Sequence, residues 1–331
     1  MDGSLATCAP LREVAAGDSR RRLRVVLNPV AGRRNRSLVQ GALQHLRARG
    51  LEIVLRETGG PGHASALARE AAQEALAGGE SDLLVVAGGD GTINEAVNGL
   101  VEAGGPHHSG QGSALPMAII PLGTANVLAH EIGLATRTEA VAGTIAAGPI
   151  LRVSLGRASA AGTPARCFIL MAGVGFDAHV VEGVDLGLKR RIGKGAYIWE
   201  SLRQIVGFGF PDYRITVDGR AVTASSAIIA NARSYAGPFV AAPDASLANP
   251  GFQILVFRRG GAMAVARSAL ALFRNALHRL PEVTLLEGQR IRIEGPTGDP
   301  VQGDGDTLTR LPVEIETLAD ALDLVVPGVS S

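Results

Sequence analysis

The sequence predicts a two-domain protein, with an α/β N-terminal domain on a mainly parallel sheet and a β-sandwich-like C-terminal domain. Three observations carry this. The chain has 331 residues, and at roughly 150 residues per domain that length favours two domains. Its first 150 or so residues alternate apolar runs with helical patterns, as repeated β-α-β units do. Beyond them, short strand candidates follow one another with turn residues between, as in an antiparallel sandwich.

Taken in order, residues 1–20 read as a loose leader, ending in the solvated Arg20-Arg21-Arg22. Leu23–Leu27 is a strand stopped by Asn28-Pro29, because proline cannot donate in a central strand. A helix is expected over Leu38–Arg49, closed by Gly50, and an alternating strand over Leu51–Leu55. His63–Ala77 is Ala-rich and helical, closed by Gly78-Gly79. Asp82–Ala87 is a continuous apolar run, the pattern of a buried parallel strand. Met117–Ile120 is another, ending at Pro121. The Gly-rich polar segment 102–115 reads as a surface loop. The second half offers strands at Leu151–Leu155, Cys167–Met171, Tyr213–Val217, Ala227–Ala230, Phe252–Phe257, Arg290–Ile293 and Val313–Glu316. Helical stretches near 195–207 and 262–279 interrupt them. The expected division is 21–149 for the first domain and 150–316 for the second, with 317–331 returning to complete the first.

Composition narrows the function classes. Hydrophobic residues make up 46% of the chain, enough for a sizeable core, and the net charge of +1 gives no argument for nucleic acid. The two cysteines, Cys8 and Cys167, form no CxxC pair, which excludes a disulfide scaffold and fits a reducing cytosol. The first 18 residues carry Asp2, Glu13 and Asp18 and no apolar core, so no secretory signal is expected there. No run approaches the ~18 apolar residues of a spanning helix.

The chemistry concentrates at three loops. Gly88-Gly89-Asp90-Gly91-Thr92-Ile93-Asn94-Glu95 leads from a buried strand into a helix. Glycines let backbone N–H groups approach a polyphosphate, and the helix N-terminus adds positive partial charge at the same spot. Thr92 and Glu95 also have capping-box spacing. Gly-Gly alone would suit an ordinary strand-to-helix turn. Asp90, however, falls at the carboxyl edge of the strand, where a ligand crevice is expected. Asn28-Pro29-Val30-Ala31-Gly32 and Pro121-Leu122-Gly123-Thr124-Ala125-Asn126 occupy equivalent places. None of the three is a Walker P-loop and none contains lysine, so phosphates would be held by backbone N–H, Thr and Asn groups.

Together these residues resemble the diacylglycerol kinase catalytic-domain family, which includes sphingosine and ceramide kinases and related bacterial lipid kinases. The resemblance runs from about Leu23 to Ile315. Its landmarks appear in family order: Asn28-Pro29-x-x-Gly32, Thr58 before Pro61-Gly62-His63-Ala64, the Gly88–Glu95 loop, Pro121-x-Gly123-Thr124-x-Asn126, Gly173-x-Gly175-Phe176-Asp177, Asn231, Ala242-Pro243-x-Ala245 and Asp304-Gly305-Asp306. The Gly-Gly-Asp-Gly-Thr loop alone also suits NAD kinases, whereas the full series is specific. The resemblance implies a two-domain lipid kinase architecture, with nucleotide bound by the first domain and lipid by the second. It implies an ATP site lined by Asn28, Gly32, Thr58, Gly88 through Glu95, Gly123, Thr124 and Asn126, with Mg²⁺ accompanying ATP. Asp306 is the implied proton acceptor, assisted by Asp90.

Three departures from the family pattern stand out. Asp306 replaces the family's glutamate and is one methylene shorter; either the backbone moves closer or the carboxylate acts through water. Val127 stands where many members have aspartate. The Leu247–Gly251 segment supplies no carboxylate for the family's structural metal. Alternatives from other classes are an NAD-kinase-like enzyme with a soluble substrate and a catalytically silent lipid-binding module.

Several smaller expectations complete the reading. Gly173-Val174-Gly175 is expected as a tight turn near the cleft. His63 is expected as a local cap or surface residue rather than a base, and His130-Glu131 as helix surface. Lys189-Arg190-Arg191 and Lys194 precede an apolar stretch with Tyr197, Trp199, Phe208 and Phe210, suggesting transient contact with an anionic leaflet. Leu270, Phe273, Leu277 and Leu280 are expected to pack into the core. The resulting picture is a cytoplasmic enzyme, peripheral on the inner face of a membrane, acting on a membrane lipid such as diacylglycerol, ceramide or a sphingoid base. It has no nucleic-acid partner, and a homo-oligomer is possible.

Overall fold

The computed structural model describes residues 22–31, 36–78, 82–104, 113–183 and 208–328. The leader, Gly32, the basic turn at 189–194 and the expected helix near 195–207 lie outside the described residues.

The N-terminal elements alternate as expected: β1 (Arg22–Leu27), α1 (Arg36–Ala48), β2 (Glu52–Glu57), α2 (His63–Gly78), β3 (Asp82–Gly88), α3 (Asp90–Gly104) and β4 (Met117–Pro121), followed by α4 (Val127–Glu131) and α5 (Thr138–Ala147). β1, β2, β3 and β4 pair in parallel, in the order β2-β1-β3-β4. Every residue of β3 and β4 is buried, which is why both read as unbroken apolar runs. α2 and α3 pack so closely that a Cβ on Gly99 would sit 2.1 Å from the Ser65 carbonyl oxygen.

The second half is mainly antiparallel. It contains β5 (Ile150–Ser159), β6 (Arg166–Phe168), β7 (Met171–Gly175), α6 (Phe176–Gly183), β8 (Tyr213–Val217), β9 (Arg220–Ala224) and β10 (Ser226–Ala230). There follow β11 (Ser234–Tyr235), β12 (Phe239–Val240), β13 (Phe252–Phe257), α7 (Ala262–Phe273), β14 (Val283–Gly288), β15 (Arg290–Glu294), β16 (Pro300–Gly303), β17 (Asp306–Arg310) and β18 (Val313–Val325). A six-stranded sheet runs β14-β13-β10-β7-β16-β17, and β8, β9 and β15 continue the N-terminal sheet through β18. Phe168, Tyr213, Ile229, Ile254, Ile291 and Val301 fill the space between the two sheets.

β18 joins the halves. Its first residues pair with β15, its length pairs with β5 across a register shift between Leu318 and Leu322, and Leu324 reaches Met117 of β4 in parallel. The strand therefore extends well past the expected Val313–Glu316.

Three local expectations are corrected. The run Cys167–Met171 is two strands, because the N–H groups of Ile169, Leu170 and Met171 donate to the Asp304 carboxylate rather than to a ladder. Gly173-Val174-Gly175 is part of the buried strand β7 rather than a tight turn. Its glycines serve close packing, since a Cβ on Gly173 would meet Asp177 Oδ2 at 2.8 Å and Gln302 Nε2 at 2.9 Å. The stretch 262–279 is not one helix, because Asn275 takes a left-handed φ of 52° and ends it before the short turn Leu277–Arg279. Leu277 is buried as expected, but Leu270 and Phe273 are 52% and 60% exposed.

Candidate active site

The carboxyl ends of β1, β3 and β4 deliver the three polar loops to one edge of the parallel sheet, and the loops touch. A Cβ on Gly123 would lie 2.9 Å from Gly89 Cα, so only glycines allow this approach. Asn28 binds the loops together: its Oδ1 accepts from the N–H groups of Val30 and Ala31, while its Nδ2 donates to Thr92 Oγ1 at 2.9 Å. With that lone pair engaged, the Thr92 hydroxyl keeps its proton for another acceptor. Thr92 packs over Gly88, where a Cβ would come within 2.5 Å of it. The first N–H groups of α3 have no partner one turn back, as at any helix start, and they point to the same edge. Thr58 leaves β2 beside β1, its N–H donating to the Leu27 carbonyl at 2.8 Å, and Thr124 is exposed at the tip of its loop.

Two expected ligand-binding side chains brace the loops. The Asp90 carboxylate accepts from the Val127 N–H at 2.9 Å and so caps α4. Burial raises its pKa, with the backbone N–H groups of Val127, Leu128 and Asn126 opposing that rise. Glu95 accepts from the Gly62 and Ala64 N–H groups at 2.9 and 3.2 Å, capping α2. His63 is a local cap too, its Nδ1 accepting from the Gly59 N–H. Glu131, expected as helix surface, accepts from the Arg233 and Ser234 N–H groups and ties α4 to β11.

The second half contributes one turn. Asp304 and Gly305 have φ of 52° and 85°, the geometry of a two-residue type I′ hairpin, and Gly303 pairs with Asp306 across it. The Asp304 carboxylate is fully occupied. It accepts from the Ile169, Leu170 and Met171 N–H groups and from Asn94 Nδ2 at 2.8 Å. Asp304 thereby fastens the hairpin to α3 of the other half. Asn231 holds the same segment, donating to the Ile169 and Ser154 carbonyls. The next residue of the motif faces the cleft: Asp306 Oδ2 lies 2.7 Å from where a Cβ on Gly91 would be. The carboxylate thus stands against the first turn of α3, beside the Gly-rich loop.

A second polar network grips the hairpin from behind. Asp177 accepts from the Tyr235 hydroxyl and from Gln302 Nε2 at 2.8 Å, while Gln302 Oε1 accepts from the Gly305 N–H at 3.1 Å. Burial raises the Asp177 pKa, opposed by those two hydrogen bonds. Gln302, Tyr235 and Asn98 escaped sequence reasoning. Asn98 left a signal, standing one turn after Asn94 on an apolar helix, where it accepts from the Cys167 N–H and donates to the Cys167 carbonyl.

Among the described residues no three His, Cys, Asp or Glu side chains converge as a metal cluster. Mg²⁺ that accompanies a nucleotide takes most of its ligands from phosphates and water and one or two carboxylates from protein. Lysine-free Gly-rich loops beside the facing Asp306 carboxylate would fit that pattern.

Such a cleft, with Gly-rich loops on a parallel sheet and a carboxylate turned in from a β-sandwich, has the architecture of a two-domain kinase. Comparison with known proteins gives the family. The Diacylglycerol kinase catalytic domain profile matches residues 22–158, and the YegS C-terminal NAD kinase beta sandwich-like domain profile matches residues 171–326. The chain thus carries the catalytic domain of the diacylglycerol kinases, which are lipid kinases. It is 28% identical to a diacylglycerol kinase of Mycobacterium tuberculosis, over 95% of this chain and 99% of that one. It is 26% identical to a diacylglycerol kinase of Bacillus subtilis, over 93% and 97%. A solved diacylglycerol kinase from Bacillus anthracis str. Sterne shares the fold at a TM-score of 0.71 and 23% identity, covering 94% of this chain and 98% of that one.

Proposed function

We propose that the protein transfers the γ-phosphate of ATP to a hydroxyl of a membrane lipid, with diacylglycerol, ceramide or a sphingoid base as the acceptor class. The observation that carries this reading is the Asp306 carboxylate set against Gly91 at the mouth of the Gly-rich loop. ATP phosphates would meet the α3 N-terminus, the Thr92 hydroxyl, and Thr58 and Thr124 at the neighbouring loop tips. Mg²⁺ bound with the phosphates would neutralise charge during transfer. Asp306 would accept the proton of the attacking hydroxyl. Residues 21–149 with 317–331 would form the nucleotide half and 150–316 the lipid half. The enzyme would work in the cytoplasm, peripherally on the inner membrane face. Among the described residues no helix is long and apolar enough to cross a membrane.

Asp90 takes a different role from the one its sequence position suggested. With its carboxylate on the Val127 N–H, it would position the Gly123–Asn126 loop rather than organise Mg²⁺ or move a proton. Substitution separates the roles. Asp90→Asn keeps an oxygen acceptor for Val127 and should retain activity that Asp90→Ala loses. Equal, complete loss in both would return Asp90 to the chemistry. Asp306→Asn should remove phosphate incorporation into lipid while leaving the fold intact, and full activity in that variant would refute its role. Incubation with NAD and ATP tests the soluble-substrate alternative, which predicts a phosphorylated dinucleotide.

A further inference from the structure

Helix α7 is built unlike a surface helix. Every residue from Ala262 to Phe273 is apolar except Arg267 and Ser268. A helix that is apolar all round belongs in a core or in lipid. Yet Ala271 is its only buried residue, and Met263, Leu270 and Phe273 are 75%, 52% and 60% exposed. At 100° per residue, Met263, Ala266, Leu270 and Phe273 form one stripe, with Arg267 and Arg274 along its edge. From Arg258 to Leu280 the sequence holds five arginines, Arg258, Arg259, Arg267, Arg274 and Arg279, and no acidic residue. All five are exposed, and Arg267 reaches Glu282 at 3.3 Å. Twelve residues make a helix of about 18 Å, too short for the ~30 Å hydrocarbon layer.

α7 also connects to the site. Phe273 packs edge-on against Phe239 with centroids 5.0 Å apart, and Asn275 Oδ1 accepts from the Val240 N–H at 2.7 Å. Those residues pair with Ser234 and Tyr235, and Tyr235 donates to Asp177 in the network behind the Asp304–Asp306 turn.

We propose that α7 is an in-plane docking surface for an anionic lipid bilayer, its apolar stripe entering the interface and its arginines meeting the phosphate headgroups. The proposal rests on the lipid kinase reading and names the surface that would bring the enzyme to its substrate. A bilayer is favoured over a protein partner because exposed arginines flanking an apolar stripe, with Glu282 on Arg267 the one acid paired to them among the described residues, match a plane of anionic headgroups over hydrocarbon.

The test uses the full chain and a Met263→Glu/Leu270→Glu double variant; Phe273 is spared because it packs on Phe239. Co-sedimentation is measured with vesicles of mixed phosphatidylglycerol and phosphatidylcholine and of phosphatidylcholine alone. Phosphorylation of dioctanoylglycerol is measured in nonionic detergent micelles. The native protein should bind the anionic vesicles at least about tenfold more tightly than the neutral ones. The double variant should lose that binding, with an unchanged melting temperature and unchanged turnover in micelles. Retained binding in the variant, equal binding to both vesicles, or no binding by the native protein would each overturn the proposal. So would a native dimer that the double variant dissociates, since a second copy would then cover the helix. Vesicle binding lost in the variant, with no lipid phosphorylated by either protein, would leave the docking surface standing and remove the lipid kinase reading alone.

Discussion

Asp306 is one methylene shorter than the glutamate the family pattern leads one to expect, and its carboxylate stands against Gly91. Two predictions belong to this pair. Gly91→Ala is acceptable to a first helical turn, but its methyl would displace the carboxylate; an ångström of displacement costs on the order of 10²-fold. Turnover should fall by about that much while the melting temperature holds, and steady-state assays beside thermal melts would check both. Asp306→Asn should lose on the order of 10² to 10⁴-fold, the usual contribution of a general base. Asp306 and the Gly-rich loop were legible because their motifs are contiguous. The capping roles of Asp90 and Glu95 were not, because Val127 and Gly62 meet them only through the fold.

At the scale of elements, the β16–β17 hairpin is held on both sides by buried carboxylates. Asp304→Ala would strand four donors, the N–H groups of Ile169, Leu170 and Met171 and the Asn94 amide. An unsatisfied buried donor costs about 1–3 kcal/mol, so denaturant unfolding should show a loss of several kcal/mol. Asp177 gives a pH prediction. Burial raises its folded pKa, so the folded state holds this proton more tightly than the unfolded chain. Its contribution to stability is complete below the unfolded value of about 3.9 and is lost as pH rises through the folded one. Asp177→Asn carries no titrating group, and the Tyr235 hydroxyl can turn to accept from the new amide. Between about pH 4 and 8 the variant should therefore lose less stability than the native protein, as paired melts would show. The type I′ turn at Asp304-Gly305 was legible as a turn pair. The fate of α7 was not, because an apolar period marks a face to be covered without saying whether protein or lipid covers it. Gly173-Val174-Gly175 misled for a related reason: its glycines make room for Asp177 and Gln302, which come from other elements.

At the scale of the molecule, the two halves share one continuous sheet, on which the six-stranded sheet of the second half is packed. β18 pairs with β15 at one end and β4 at the other, so the strand that follows the hairpin also joins the parallel sheet of the first half. The alternation of apolar runs and helices announced the parallel sheet. The return of residues 317–331 to the first half was an expectation of the sequence; that one long strand makes the join was not legible, because the pattern of β18 mixes exposed and buried positions on both sides of its register shift. Asn94 on Asp304 adds a side-chain link between the same halves. This joining sets the carboxylate of one half against the Gly-rich loops of the other. The central claim is that this juxtaposition phosphorylates lipid. It is tested most directly by incubating the native chain and Asp306→Asn with γ-labelled ATP, Mg²⁺ and a total lipid extract, and identifying the labelled product by mass. A single class of lipid phosphate with the native chain, and none with the equally folded Asp306→Asn, is the predicted result. Label in a soluble product, or equal labelling of lipid by both proteins, would contradict it.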